Sequence, residues 1–581
     1  MLNWLDQQLR FRRRSGAPFE GTPLHISDGF AGDPIVAVDA GHPAVELGFE
    51  FLLRDILQIA SPPAGDAEWA ERLLVPPSPD DLRRALAPHR RAFVLDDPEF
   101  PALQVRPIEV EPTSSVSIGL LFADLGNEDA VAAGIAFFEK GGSLSSIHIG
   151  LILPVLYQHL VLFPSPAGGY FDPPHRSAST KYQLTAESLW ERVWLNVLSI
   201  EDSWLASRAW PAPCDGHVYP WLRDDLRRLA LGRVNAKSRA RYEREGLPVP
   251  ETARTLRAGE LHPAVIPLTR RYLLRPPVDG VCSLTGRAGQ CYSEYDRWPQ
   301  GPQIDPGSWR WWGVAERRVL AREGTGRILK TRSFPGTRGP LRFDDWLHVA
   351  LGGDLPQPSD EARTIEEVEA PPAILAFRPR RRLLAEAWRR HHCSAVGATS
   401  ALAAGRGARL PYRVRAVVQF PFGKAVGGTS TRELPLYDLP GTAARNLAIA
   451  AAQLAERLGE IGQALAKRAR QAAALGSDRG GEIGSQLEDD LLATMDAPVI
   501  AAITQLADQL AEGDVGDTAV DTELLDLARR MALTLFDATF PVIGGDTPSV
   551  KIAKARRELM RDLFRLAPRP HAGTDAEETA A

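Results

Sequence analysis

At 581 residues, with 44% apolar and 24% charged side chains, the chain has ordinary globular proportions and enough material for more than one hydrophobic core. Its net charge of −5 excludes a uniformly basic protein, and four scattered cysteines (Cys214, Cys282, Cys291, Cys393) exclude a disulfide-framed fold. The opening MLNWLDQQLRFRRRSG has no secretory leader pattern, and no apolar run reaches the roughly eighteen residues of a membrane span, so a soluble, cytoplasmic protein without membrane contact is expected.

PAVELGFEFLLRDILQIA, residues 43–60, starts with proline and carries a continuous apolar face, which predicts an early helix. SPDDLRRALAPHRRAF predicts a second, capped by Ser78 with acids in its first turn. AFFEKGGSLSS, residues 136–146, then places two glycines behind a lysine. Such a pair frees the backbone or lets another molecule approach it, but the lysine precedes the glycines, so this is no phosphate-binding P-loop. A helix C-cap followed by a turn is the bland reading. AESLWERVWLNVL, residues 186–198, predicts a third helix, and RAFVL and YRVRAVVQF are strand-like.

Two basic segments interrupt this mixed region. Residues 317–342 hold eight Lys or Arg against one acid, with RILKTRSFPGTRGPLRF interleaving cations and glycines as a loop would. Residues 375–392 hold six Arg against one Glu, and in FRPRRRLLAEAWRRHH the residues Arg381, Arg382, Arg389 and Arg390 form one cationic helix side, anchored by Leu384 and Trp388. Charge beside exposed amides suits a phosphate backbone, with Lys330 and Arg332 as further candidates; a solvated charged face is the alternative.

Past residue 434 the pattern becomes helical. Leu447, Leu454, Leu458, Ile461 and Leu465 make one stripe; Leu487, Leu491, Met495, Val499, Leu506 and Leu510 a second; Leu524, Leu527, Met531 and Leu535 a third. Thr547-Pro548 opens a fourth helix, with Ile552, Leu559, Leu563 and Phe564 as its apolar face. The expected fold is therefore α+β: a large irregular mixed N-terminal domain over 1–434, an antiparallel four-helix bundle over 435–570, and a disordered acidic tail over 571–581.

No H-E-x-x-H, G-x-S-x-G, Walker or dinucleotide motif occurs. His391 and His392 are adjacent on a helix and point about 100° apart, which suits one metal poorly. Cys282 and Cys291 lack the second pair of a zinc ribbon. No catalytic residue, metal or cofactor is expected.

Several segments, in order, resemble the CasA family, the large subunit of the type I-E CRISPR Cascade complex. LLRDILQIASPPAGDAEWAERLLVPPSPDDLRRALAP with LDDPEFPALQ resembles the family's N-terminal segment and its Q-I-x-x-P turn. FFEKGGSLSS resembles its glycine-rich loop, WLNVLS a helix, VCSLTG a cysteine-bearing turn, LRFDDWLHVALGG the stretch before its wedge loop, and ELPLYDLP the entry to its C-terminal bundle. The likeness spans about residues 1 to 570. It implies a non-catalytic subunit whose partners are the other Cascade proteins, a CRISPR guide RNA, double-stranded target DNA and a helicase–nuclease. It further implies that Lys140, Gly141, Gly142 and Ser143 reach the minor groove beside the flanking motif. Gln357, held between Pro356 and Pro358 in GGDLPQPSDEA, stands near the family's duplex wedge, and Arg297 is the nearest basic residue where the family has a groove-reading lysine. A stand-alone metal-dependent nuclease or hydrolase on His391 and His392, or a scaffold without nucleic-acid contact, are the alternatives.

Overall fold

The computed structural model describes residues 1–107, 114–122, 143–162, 180–202, 205, 209–228, 240, 243–246, 255–257, 260–266, 268, 270–298, 303–305, 311–314, 316–323, 326–333, 343, 364–392, 409–422, 425–437, 439, 441–473, 477–512, 522–541 and 549–566. It divides into two compact units: Met1–Leu341, Asp360–Ala403 and Pro411–Glu433 in one, Arg342–Ser359, Ala404–Leu410 and Leu434–Ala581 in the other.

The first unit begins with β1 (Leu9–Arg13), β2 (Pro18–Gly21) and β3 (Ile35–Val38), a small antiparallel sheet in the order β2-β1-β3. Helix α1 (Pro43–Ala60) follows, with His42 as its N-cap and proline at its start. Nearly every side chain of α1 between Ala44 and Ile59 is buried, so it is a core helix wrapped on all sides rather than a surface helix with one apolar stripe. It packs on α4 (Ile152–Val161), where Gly48 permits the approach: a Cβ there would stand 2.6 Å from the Pro154 carbonyl oxygen. Between them lie α2 (Asp66–Leu74), α3 (Pro79–Leu86), β4 (Ser114–Ser117) and β5 (Ile147–His148).

Ser78 caps α3 with a capping box to Asp81, as its sequence requires, and the chain continues as a 3-10 turn over Ala87–Phe93. RAFVL is therefore not a strand. Pro88 and the tight turn hold His89, Ala92 and Phe93 inward, and only Val94 makes an isolated bridge, to Asn3. The helix expected over 186–198 is also shorter. After β6 (Lys181–Thr185), a capping box between Ser188 and Glu191 starts α5 (Leu189–Trp194), which stops because Asn196 turns its side chain back onto the Leu184 amide and carbonyl, both at 2.8 Å.

A short helix, α6 (Asp224–Arg228), precedes a run of strands: β7 (Thr255–Arg257), β8 (Arg271–Leu274), β9 (Val278–Val281), β10 (Ala288–Tyr292), β11 (Glu294–Trp298), β12 (Gln303–Asp305), β13 (Glu316–Glu323), β14 (Gly326–Ser333) and β15 (Thr364–Glu369). Here the basic segment differs from its reading as a loop. Gly326–Ser333 form β14, paired in register with β13, and the β-branched Ile328 and Thr331 suit a strand. Helix α7 (Pro372–His392) and strands β16 (Arg409–Phe422) and β17 (Ala425–Tyr437) follow, β16 pairing with β6.

In the second unit, α8 (Gly441–Ala472) packs on α9 (Ser477–Ala511), α10 (Thr522–Thr539) and α11 (Ser549–Arg565), and α10 touches both α9 and α11. The stripes of α8 are buried as the spacing requires. On α9, Leu506 is half-buried while Ile503 and Ala507 take the inner positions. On α10 the buried face is Leu524, Leu525, Ala528, Ala532 and Phe536; Leu527, Met531 and Leu535 are half-buried. Small alanines let helices close, so the true seam sits one residue away from the large-residue stripe. On α11 the inner face is Ile552, Ala555, Leu559 and Leu563, and Phe564 is 81% exposed. The Thr547-Pro548 start and the tail 571–581 lie outside the described residues. Gly480–Ala511 has the length and composition of a membrane span, but Leu487, Leu491, Met495 and Val499 are buried among the other helices.

Candidate nucleic-acid interface

Strands β10 and β11 are one ribbon, separated by Ser293 alone. Segment β5 pairs antiparallel with β10 (Cys291 opposite His148, Tyr292 opposite Ile147), and β4 pairs antiparallel with β11 (Glu294 opposite Ser117, through Arg297 opposite Ser114). The chain therefore runs along the ribbon to Ser117, leaves it, and rejoins it at Ile147 on nearly the next rung. The two stretches that flank the glycine pair along the chain, residues 118–122 and 143–146, therefore leave and rejoin a single antiparallel pairing, and both are fixed.

The outgoing stem is held from beneath. The Ile118 N–H donates to the Ser293 carbonyl at 2.8 Å, and Ile118, Leu121 and Phe122 are buried. Two side chains of α4 grip the Leu121 carbonyl: Gln158 donates at 2.6 Å and His159 Nδ1 lies at 3.1 Å. His159 is buried; desolvation first, then the fields of Arg270 and Arg297, hold it well below the usual histidine range, so it is a neutral donor to that carbonyl.

The returning stem is held by the VCSLTG turn. The β9–β10 hairpin closes with the Cys282 N–H donating to the Arg287 carbonyl at 2.8 Å and the Gly286 N–H to the Cys282 carbonyl at 2.9 Å, Gly286 taking φ +68°. Ser283 at its tip accepts from the N–H groups of Ser145 and Ser146, both at 3.1 Å, and its own N–H donates to the Ser146 carbonyl at 2.7 Å. Burial raises the Cys291 thiol above its ordinary range while Ser146 hydrogen-bonds it. Two segments about 140 residues apart thus form one structure. Beside them lies a cleft of about 360 Å³ lined in part by Arg10, Glu20, Asp39, His148 and Arg287. Its rim charges are paired, Arg10 with Asp39 at 3.4 Å and Arg287 with Glu20 at 3.2 Å.

Ser143 is exposed at the head of the returning stem, and Arg297 is half-buried on β11. Lys330 and Arg332 stand two positions apart on β14, opposite Val319 and Arg317 of β13. Arg381 and Arg382 lie on α7, where only the backbone is described. Lys140, Gly141, Gly142 and Gln357 lie outside the described residues.

The neighbouring Arg380 is buried at 1% exposure. It bonds Asp66 at 2.6 Å, Asp202 at 2.7 Å and Ser199 at 3.1 Å, with its guanidinium 4.7 Å above the Trp69 ring. At least one member of the arginine run is therefore a core clamp. A partner pattern appears at Q-I-x-x-P and WLNVLS: Gln58 takes the Leu198 N–H at 2.7 Å and donates to the Leu198 carbonyl at 2.9 Å. Arg54 reaches the Asn196 carbonyl at 2.7 Å and Asp55 at 2.9 Å, and Asp55 also receives Trp312 at 2.8 Å and the Tyr157 hydroxyl. These motifs specify a buried polar network. Among the described residues no cluster of three or more His, Cys, Asp or Glu could hold a metal.

The family model for CRISPR-associated protein Cse1 matches residues 5–329. CasA from Thermus thermophilus is similar at 15% identity over 97% of this chain and 99% of its own, with a TM-score of 0.58. Cse1 from Acidimicrobium ferrooxidans is similar at 16% identity over 98% and 99%, TM-score 0.56. A chain of a structure titled CRISPR RNA-guided surveillance complex is similar at 14% identity over 97% and 99%, TM-score 0.57. At such identities the likeness fixes the fold. No curated protein sequence matches the chain.

Proposed function

The chain belongs to the Cse1 family of CRISPR-associated proteins, and from that premise we propose that it is the non-catalytic large subunit of a Cascade-type guide-RNA surveillance complex. In this reading it recognises a short motif flanking a double-stranded DNA target, aids opening of the duplex for guide pairing, and recruits the helicase–nuclease. The guide RNA and the remaining Cascade proteins are its standing partners. The four helices of the second unit, read as an antiparallel bundle over 435–570, serve assembly and recruitment, while the preceding 434 residues carry DNA recognition.

The observation that supports this reading most is that the stretches before and after the glycine pair, ending at Ser117 and resuming at Ile147, pair on nearly adjacent rungs of one ribbon. A loop meant to enter a minor groove needs a thin, bare tip and a rigid base, because the groove's code is degenerate and readout depends on close approach. Gly141 and Gly142, with Lys140 and Ser143 as neighbours in sequence, are proposed as that tip, and Gln357 as the wedge. Arg297 is proposed as the ribbon's cation, and Lys330, Arg332, Arg381 and Arg382 as phosphate contacts.

The test is Gly142→Ala in the complex reconstituted with guide RNA. An added methyl at a base edge is expected to cost about 1–3 kcal/mol on targets bearing the motif and to leave non-specific binding unchanged. A lowered melting temperature with intact motif discrimination would return the glycine to a helix-cap role and overturn the groove contact.

A further inference from the structure

The outer face of α11 is charged in a way that its own stability does not require. Its two acids are turned inward: Glu558 and Asp562 both pair with Arg468 of α8, Asp562 at 2.6 Å, and Arg468 is only 8% exposed. Arg556 is taken up by Asp537 of α10 at 2.6 Å. What faces outward is Lys551, Lys554, Arg557, Arg561 and Arg565, all exposed, and none of the five forms an ion pair among the described residues. Cations in the last turn are explained by the helix dipole. Lys551 stands in the first turn, where the dipole disfavours a cation, and Lys554, Arg557 and Arg561 lie outside the last turn, so helix energetics does not account for the ridge.

The same face carries apolar side chains. Val550 is 79% exposed, Met560 48% and Phe564 81%, three of the eight large apolar residues exposed among those described, and Phe564 is the one aromatic ring of that group. At 100° per residue, Lys554, Arg557, Arg561 and Arg565 fall within about 80° of one another, and Met560 and Phe564 border them. From Lys551 to Arg565 the ridge is about 21 Å long.

We propose that this face of α11 binds single-stranded nucleic acid, the cationic ridge following the phosphates and the exposed Phe564 ring stacking an unpaired base. Charge complementarity selects a polyanion, and an exposed aromatic ring beside the charges selects a strand whose bases are free to stack. A duplex would leave Phe564 without a partner. The proposal stands on the second unit alone and is independent of the motif-reading loop.

The test measures binding of the full-length protein to a fluorescent oligo-dT strand across a salt series, with the motif-bearing duplex assayed in parallel. Changing Lys554, Arg557, Arg561 and Arg565 to Gln is expected to flatten the log–log salt dependence by about 0.7 for each phosphate that is no longer neutralised. Phe564→Ala is expected to weaken single-strand binding roughly 5- to 150-fold, the value of one stacked base. Motif-dependent duplex binding is expected to be unchanged in both variants. With 5-bromodeoxyuridine in the strand, photo-crosslinks are expected in the peptide holding Phe564. An unchanged salt slope, crosslinks only in other peptides, or a Phe564→Ala protein that binds the strand as tightly as wild type would overturn the proposal. So would a self-association in sedimentation that Phe564→Ala abolishes, which would assign the face to a second copy of the chain.

Discussion

The helical unit and the glycine-loop region are built by opposite strategies. In the first, each helix buries a stripe set by its own residues, so the information lies within a few turns of sequence. In the second, the stems of residues 118–146 are held by Ser283, Ser293, Gln158 and His159, groups that are distant along the chain. Local periodicity can reveal the former. It is blind to the latter, since no pattern in AFFEKGGSLSS or VCSLTG announces that Ser283 will accept from Ser145 and Ser146. The lesson is that a loop can be irregular in sequence and still rigidly based.

The largest effect is expected in the irregular unit. Asp55 is buried and collects Arg54, Tyr157 and Trp312 at once. Asp55→Ala leaves a buried guanidinium without its carboxylate, and the loss is expected to reach about 5 kcal/mol. Denaturant unfolding followed by tryptophan fluorescence checks this; a loss under about 1 kcal/mol would show that the network is ornamental to stability.

Within the helical unit, two phenylalanines sharpen the contrast between pattern and packing. Phe536 is fully buried, whereas Phe564 belongs to the stripe legible in the sequence and yet is exposed. Phe536→Ala is expected to cost about 3–4 kcal/mol and Phe564→Ala to stay within about 0.5. Comparable losses from the two would mean that the stripe had located the core after all. The four helices, and the large buried side chains of α8 and α11, were legible because leucine spacing is a local signal. The rotation of α10 onto Ala528 and Ala532 was not, because alanine weighs little in a hydrophobic pattern although it sets how closely helices approach. The glycine pair stood out as a candidate, and the cysteine turn as a resemblance; that the turn holds Ser145 and Ser146, a few residues past the pair, required the fold. Arg380 shows the reverse failure. A run of arginines looks uniformly solvent-facing until one of them is found stacked on Trp69, joined to Asp66 and Asp202.

Acid should distinguish the two strategies as well. His159, and to a lesser degree His89 and His148, are held below the usual histidine range, His159 and His89 by burial and His148 by burial and Arg287. A base kept neutral in the fold binds its proton in the unfolded chain first, so protonation favours unfolding. Stability of this unit is full above the ordinary histidine range and falls as pH drops through about 6.5, by up to about 1.4 kcal/mol per pH unit for each histidine, until the folded form also protonates. Melting curves between pH 8 and pH 5 check the sign (both limits roughly one to two units from the ordinary histidine value). His159→Asn is expected to flatten the slope, and an unaltered slope would remove His159 from the stem.

The smallest effect is the most specific to the loop. Ser283→Ala removes an oxygen that accepts two backbone N–H groups, but Ser145 is exposed and water can replace the missing partner. The global cost is therefore expected to be about 1 kcal/mol or less. The main-chain bond from Ser283 to the Ser146 carbonyl, at 2.7 Å, survives the substitution, so the stem stays in place and loosens rather than detaching. That loosening has a local signature. Hydrogen exchange at the Ser145 and Ser146 amides is expected to quicken several-fold, while Cys291 and Tyr292, paired in the ladder with His148 and Ile147, exchange as before. Ser283→Thr keeps the hydroxyl and is expected to restore protection. If the alanine variant leaves both amides as slow as in the native chain, the hairpin turn merely lies beside the stem, and the base of the loop owes its order to the β5–β10 pairing alone.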